Sequence, residues 1–498
     1  MRFVKLVIVI ILFATQHAKA GNGDSIFNMV YIHDIHITFP YSSFYDSLLN
    51  TNTTDLYLPV SIQFNNKILD SVGIKVKGNS SFNNPSQKKS FKLDLNEFVS
   101  GQDLHGLKKL NFNNSFKDPS FMREKLVNDF LIAHNLPAPR TTYCNVYFNN
   151  QLWGLYSIVE EVDDEFCKHW FGNNDSNLFK GDPHGSLQWK GSSLQSLYET
   201  EYELKNNQTQ NNWSDLITLI DKINNGPVSD LYTNLEPKLN TVHFTKHWAV
   251  MNMFSSLDSY IGSGHNYYLY HDSSTDKFQF IAWDNNEAFG GFKMNLSSTQ
   301  LKNLDMYYIS SPISSRPLCD RMLQHPYYKE LYNQAYCELS HDVNNTYFNV
   351  KIDSLKNIIQ QSVYNDPKKF YSNDKFDSSF NYDVSLSGPQ GMTVFGLKNF
   401  ISDRATVIQT ILTNNQVNCW PLAIPSEQTV HQELQVYPNP ASTTIYLHGA
   451  ELSKKNIYNS VGTLVYSGCD DKLSVESLAT GLYWIHTKQQ WLKLVVQH

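Results

Sequence analysis

Apolar residues along this chain follow two periods, and the change from one to the other divides it. Residues 60–65 and 73–77 alternate apolar and polar positions and read as successive strands of an antiparallel sheet, after a loosely alternating stretch from 26 to 56. Residues 88–95 (KKSFKLDL) continue with a strand whose period of two puts Lys89, Phe91, Leu93 and Leu95 on one face. Residues 142–148 and 153–159 flank a polar turn and form a hairpin. One helix interrupts these strands: Met122, Leu126, Phe130 and Ala133 recur at helical spacing, Asp118 is placed to cap it, Pro119 fits its first turn, and Asn135 and Pro137 end it.

Beyond residue 160 the helical period dominates. Residues 213–223, 245–256, 315–323, 327–339 and 347–363 read as helices. Among them lie a short strand at 178–181 and an aromatic hairpin with strands at 267–270 and 278–283. Residues 418–433 break into Pro, Ser, Gln and Thr and read as a linker. From 434 to 498 the strands are short and regularly spaced, as in a small sandwich. The fold class is therefore α+β, a strand-rich part to about residue 160 and a helical part to 417, followed by a small all-β domain.

Residues 1–20 follow a different logic. Two cations, an apolar run from Leu6 to Ala14 and the small-residue site Ala18-Lys19-Ala20 make a signal peptide, since the run is too short for a bilayer of ~30 Å. No later run is long enough either, so the mature chain is expected to be exported without a transmembrane segment. Its six cysteines lack CxxC spacing, which argues against zinc, and export permits disulfides whose pairing the sequence leaves open. A net charge of -7 with no Lys/Arg cluster gives no reason to expect nucleic acid.

The candidate chemistry gathers at residues 257–292. The hairpin places Asp258 and Asn266 before its first strand and Asp284 after its second, so all three converge on one end. That order is the one in which protein kinases present a catalytic base and two magnesium ligands, though the spacing here is looser. An ordinary hairpin whose Asp and Asn residues make turns is the competing reading. Upstream, residues 76–82 (VKGNSSF), with Lys77, Asn79 and Ser80, form a small polar turn of a kind that suits covering a phosphate. Lys89 on an apolar strand face needs a partner for its charge and is the first candidate for phosphate contact, with Lys88 and Lys92 taking the role if the register slips by one. Glu124 shares a helical row with Phe121, Val127 and Leu131 and is placed to face the sheet and pair with that lysine. Lys180 is a second cation near the cleft.

These residues together resemble a known family. Residues 76–81 (VKGNSS), 88–92 (KKSFK), 110–124 (LNFNNSFKDPSFMRE), 154–160 (GLYSIVE), 177–180 (NLFK) and 265–270 (HNYYLY) with Trp283-Asp284 are similar to the CotH family of spore-coat-type atypical protein kinases. The resemblance implies a two-lobed protein-kinase-like fold over residues 21–417 that binds ATP with Mg²⁺ or Mn²⁺ and phosphorylates Ser or Thr of a protein substrate. It implies Asp258 as catalytic base, Asn266 and Asp284 as metal ligands, and Lys89 with Glu124 as an ion pair. One departure matters: where members commonly carry a second Asp two positions after the Trp-Asp aspartate, this chain has Asn286, which raises the alternative of an inactive pseudokinase serving as an adhesin or binding module.

At the other end, residues 437–440 (YPNP), Gly462, residues 481–483 (GLY) and residues 493–496 (KLVV) resemble the type A sorting domain of the type IX secretion system of Bacteroidetes. That implies handling by the type IX machinery and a secreted or surface-attached protein, a location where ATP is scarce.

Overall fold

A computed structural model describes residues 22–27, 31–78, 80–386, 393–419, 435–448, 455–459, 463–470, 472–486 and 491–498. The signal peptide, Asn79, Gly462 and residues 420–433 of the linker lie outside them. The chain divides into two units, residues 1–419 and 420–498.

In the first unit the alternating stretches close into a seven-stranded barrel. Its strands are β1 (His33–Thr38), β2 (Leu58–Phe64), β3 (Lys67–Val76), β4 (Phe91–Asp94), β5 (Lys109–Asn113), β6 (Thr141–Phe148) and β7 (Gln151–Glu160), in the order β1-β2-β3-β4-β5-β7-β6. All neighbours are antiparallel except β1 and β6, whose parallel pairing closes the barrel. The period of two sends Ile74, Val76, Phe91, Leu93, Leu110, Phe112, Tyr156 and Ile158 into its core, where Phe91 stacks on Phe112. The intervening residues, among them Lys92, Asn111 and Asn113, are left on the outer face. Among the described residues of 26–56 only β1 is a strand; Phe44–Thr54 is a helix that buries Leu48 and whose Thr51 hydroxyl takes the backbone N–H of Val76 at 2.9 Å.

The helix expected from Asp118 begins later, at Arg123–Ala133. Asp118, Pro119, Ser120 and Phe121 form a turn instead, with Phe121 at φ +62°. The Asp118 carboxylate still accepts the N–H groups of Ser120 and Arg123, each at 2.9 Å, so it caps the helix from one turn upstream.

Downstream, helices Thr241–Met253, Pro317–Gln324, Pro326–Ser340, Asn345–Asn365 and Leu397–Asn414 share one large apolar core, with Trp248 stacked on Tyr332 at 3.9 Å between ring centres. That core also receives Phe121, Leu126, Phe130 and Leu131, so the helix Arg123–Ala133 packs with the helical part although it lies between barrel strands in sequence. A four-stranded sheet accompanies these helices: β8 (Leu178–Gly181), β9 (Tyr202–Leu204), β10 (Tyr267–Asp272) and β11 (Lys277–Ala282), in the order β11-β10-β8-β9. Cys337 and Cys419 form a disulfide, tying the end of this unit to the helix Pro326–Ser340.

Barrel and helices are fastened by one fully buried ion pair. Lys88 Nζ lies 2.6 Å from the carboxylate of Asp366, the residue that ends helix Asn345–Asn365, and neither side chain is exposed. The same carboxylate accepts the N–H of Leu155 on β7 at 3.0 Å and that of Lys368 at 2.8 Å. Gly154 leaves room for it, because a Cβ there would lie 2.5 Å from Asp366 Oδ1.

The second unit is a pair of antiparallel sheets. One holds Gln435–Tyr437, Thr444–His448 and Lys472–Ser474; the other holds Lys455–Asn459, Leu464–Gly468, Gly481–His486 and Trp491–Val496. Ile445, Leu447, Ile457, Ile485, Leu494 and Val496 fill the space between them. Among the described residues of the chain, no helix is long and apolar enough to cross a membrane.

Candidate functional site

The β10–β11 register, with Tyr267 opposite Ala282, fixes which side chains leave the same end of the hairpin. Asn266 and Trp283 follow outward, joined by the bond from the Trp283 N–H to the Asn266 carbonyl at 3.1 Å. Asn266 and Asp284, the residue after Trp283, both adopt left-handed backbone, φ +60° and +53°, a conformation that Asn and Asp tolerate better than most residues. Asp258 arrives from the loop after helix Thr241–Met253. Asn266 Nδ2 donates to the Asp258 carbonyl at 3.0 Å, and His265 Nε2 lies 2.7 Å from Asp258 Oδ1. The loop is braced from behind: Ser310 Oγ donates to the Gly262 carbonyl at 2.9 Å, and buried Arg316 donates to the same oxygen. Gly262 is required there, since a Cβ would fall 1.9 Å from the Leu257 carbonyl oxygen. Asp258, Asn266 and Asp284 thus meet at one end of the hairpin, all three partly exposed.

Facing them is the outer wall of the barrel. Lys77, just past β3, reaches across β4 to β5 and donates to Asn111 Oδ1 at 3.1 Å and Asn113 Oδ1 at 3.0 Å. Its ammonium lies 5.4 Å from the centre of the Trp283 ring. Each asparagine then leans on a carboxylate, Asn113 Nδ2 on Glu124 at 2.8 Å and Asn111 Nδ2 on Glu161 at 2.6 Å. Glu161 is also paired with Lys92 at 2.6 Å. Burial works against ionising Glu161, but Lys92, Asn111 and Lys77 hold its pKa down to about 2. Glu124 has weaker support: burial, with Asp284 beside it, pushes its pKa up to about 7 against Asn113 and Lys77.

The other charges lean toward excess acid. Burial raises Asp284, opposed by Lys77 and reinforced by Asp258. Glu287 is raised by burial although Lys117 Nζ sits 2.7 Å from its Oε1, and its buried Oε2 has no hydrogen-bond partner. The side-chain oxygens of Asp284 and Asn266 are hard donors of the kind a divalent cation takes. Among the described residues no group of three or more His, Cys, Asp or Glu is arranged to hold a metal. So few protein ligands is the usual situation for magnesium, which completes its shell with substrate phosphates and water.

Lys88, Lys89 and Lys92, the lysines expected to pair with Glu124, do not meet it. Lys89 Nζ donates to the carbonyls of Phe82 and Asn84, so its charge is met by its own loop. Lys88 is spent on Asp366, and Lys92 on Glu161. Lys77 is the lysine whose charge reaches Glu124, by way of Asn113. Lys180 pairs with Asp182 at 2.5 Å and also acts on Asp284. Ser80 is exposed in the loop between β3 and β4. To the residues expected from the sequence the structure adds Asn111, Asn113, Glu161, His265, Lys117 and Glu287. The alternation Asn111-Phe112-Asn113 was the available signal: two amides on the outer face of a strand whose other face is core.

Three stretches of similarity to known proteins are found. Residues 435–497 match the secretion system C-terminal sorting domain, which indicates secretion and attachment at the cell surface. Over 236 residues the chain is 26% identical to the inner spore coat protein H of Bacillus subtilis (strain 168), a match that covers 47% of this chain and 62% of that protein. Residues 74–408, which include β4–β11, Lys77, Glu124, Asp258 and Asp284, match the family described as CotH kinase protein, and the chain belongs to the CotH family.

Proposed function

We propose that this protein is an exported CotH-type kinase that transfers the γ-phosphate of ATP to Ser or Thr of a protein substrate, using Mg²⁺ or Mn²⁺. The convergence of Asp258, Asn266 and Asp284 opposite Lys77 carries the reading. Asp258 takes the proton of the attacking hydroxyl, in the position of a base at the open end of the hairpin. Asn266 spends its amide nitrogen on the Asp258 carbonyl, which leaves its oxygen, with the carboxylate of Asp284, for the metal. A bound divalent ion supplies charge neutralisation for the phosphates. Lys77 contacts the phosphates, Glu124 stands behind it through Asn113, and Lys180 adds positive charge on the Asp284 side. In this reading the barrel and the helical part are the two lobes of a kinase-like fold.

A second reading is a pseudokinase serving as an adhesin or binding module at the cell surface, favoured by Asn286 at the place of a second aspartate and by the secretion tail. Purified chain with labelled ATP, Mg²⁺ or Mn²⁺ and mixed protein substrates separates the two. Label transfer that falls by about 10²–10⁴-fold in Asp258→Ala supports the enzyme. Intact ATP binding without transfer supports the module.

A further inference from the structure

In the kinase arrangement the phosphate-binding lysine pairs directly with a glutamate. Here Lys77 makes no salt bridge with either carboxylate behind it. Both of its bonds go to neutral amide oxygens, Asn111 Oδ1 at 3.1 Å and Asn113 Oδ1 at 3.0 Å, and only the far sides of those amides touch Glu161 and Glu124. Asn111 and Asn113 stand two apart on β5, so the pleat sets them side by side on the outer wall. Glu161 makes its direct ion pair with Lys92 at 2.6 Å and acts on Lys77 only across Asn111. An ammonium has three N–H donors, and the two amides use two of them, which leaves one for a ligand. A carboxylate in place of either amide would cancel the charge that a phosphate needs.

We propose that Asn113 and Asn111 are positioning residues that hold Lys77 off a direct salt bridge with Glu124 and Glu161, leaving one of its N–H donors for the phosphates of a nucleoside triphosphate. The inference rests on the nucleotide-binding reading above. It assigns the specificity for anions to a pair of amides rather than to an ion pair, and it gives Glu124 the task of orienting Asn113.

The test is ATP binding by calorimetry in Mg²⁺ or Mn²⁺ with the full mature chain, its folding checked by thermal unfolding. Asn113→Asp places a carboxylate on Lys77, and ATP affinity is expected to fall about ten-fold or more. In a Lys77→Met background the same substitution has no cation to neutralise, so its further effect is expected to be less than about two-fold. Asn111→Asp, a second route to the same change, is expected to behave alike. Wild-type affinity in both aspartate variants, or the same loss with and without Lys77, overturns the inference while leaving nucleotide binding intact. A wild-type chain that binds no ATP with either metal overturns this inference together with the reading beneath it.

Discussion

The joint around Lys88 and the cleft around Lys77 are built from the same materials, a lysine beside a barrel strand and carboxylates from farther along the chain, and they differ in how the charges close. At the joint one cation meets one anion at 2.6 Å with no exposure, and the backbone N–H groups of Leu155 and Lys368 also bond the Asp366 carboxylate. In the cleft one cation faces Asp284, Glu161 and Glu124 without pairing directly with any of them. A closed pair has nothing left for a ligand and serves the fold. An open, acid-rich cluster with a lysine held on amides is charge waiting for a partner, and perturbed groups of this kind gather where chains bind and react.

The comparison breaks most severely at the joint. Asp366→Ala leaves Lys88 buried without its anion, and urea unfolding is expected to show a loss of about 3–5 kcal/mol. The double change Lys88→Met with Asp366→Leu should recover most of it, since an apolar pair of similar volume avoids the buried charge. A loss under about 1 kcal/mol would mean that the pair does not fasten barrel to helices.

The cleft should respond in the opposite sense. Lys77→Met is expected to leave the unfolding midpoint nearly unchanged, because Lys77 has no direct carboxylate partner, while ATP affinity falls roughly 10- to 100-fold, or about 1.4–2.8 kcal/mol. A Lys77→Met chain as unstable as Asp366→Ala would erase the distinction drawn between the two sites.

Glu124 gives the contrast a pH dependence. Its pKa in the fold, about 7, stands above its ordinary 4.5, so protonation favours the folded state. That contribution is complete below about 4.5 and is lost as the pH rises through about 7. Glu124→Gln, which cannot ionise, should gain stability over wild type between pH 5 and 8 by roughly 1–3 kcal/mol. Parallel curves of stability against pH for the two proteins would contradict the raised value.

The smallest effect is expected at Asn286, where a second aspartate is missing. Asn286→Asp should lower the Mg²⁺ or Mn²⁺ concentration needed for ATP binding by a few-fold, and Asp284→Asn should raise it. Unchanged metal dependence in Asp284→Asn would remove that residue from the site.

Much of this site was legible because it is local. The aromatic alternation of residues 267–270 and 278–283 sets a hairpin, a hairpin sets its register, and register alone brings Asn266 beside Trp283 and Asp284. The helical row of Phe121, Glu124 and Val127 likewise foretold a buried glutamate, and Glu124 is only 7% exposed. The start of that helix was misjudged because Asp118 bonds the Arg123 N–H across a turn that forces Phe121 to positive φ, a detail that helical spacing does not encode.

What the sequence determined by itself was the family, the alternation of strands and helices, the sorting domain and the placing of Asp258, Asn266 and Asp284 at one end of the hairpin. What only the tertiary structure decided was the lysine. Positions 77, 88, 89 and 92 all carry one within a few residues of a strand, and local pattern treats them nearly alike. Their fates depend on what stands opposite once the barrel closes: Asp366, 278 residues from Lys88, Glu161, 69 residues from Lys92, and the two asparagines of β5 for Lys77. The physical reason is that a buried charge is sorted by its partner, and partners distant in sequence become neighbours only when strands and helices pack.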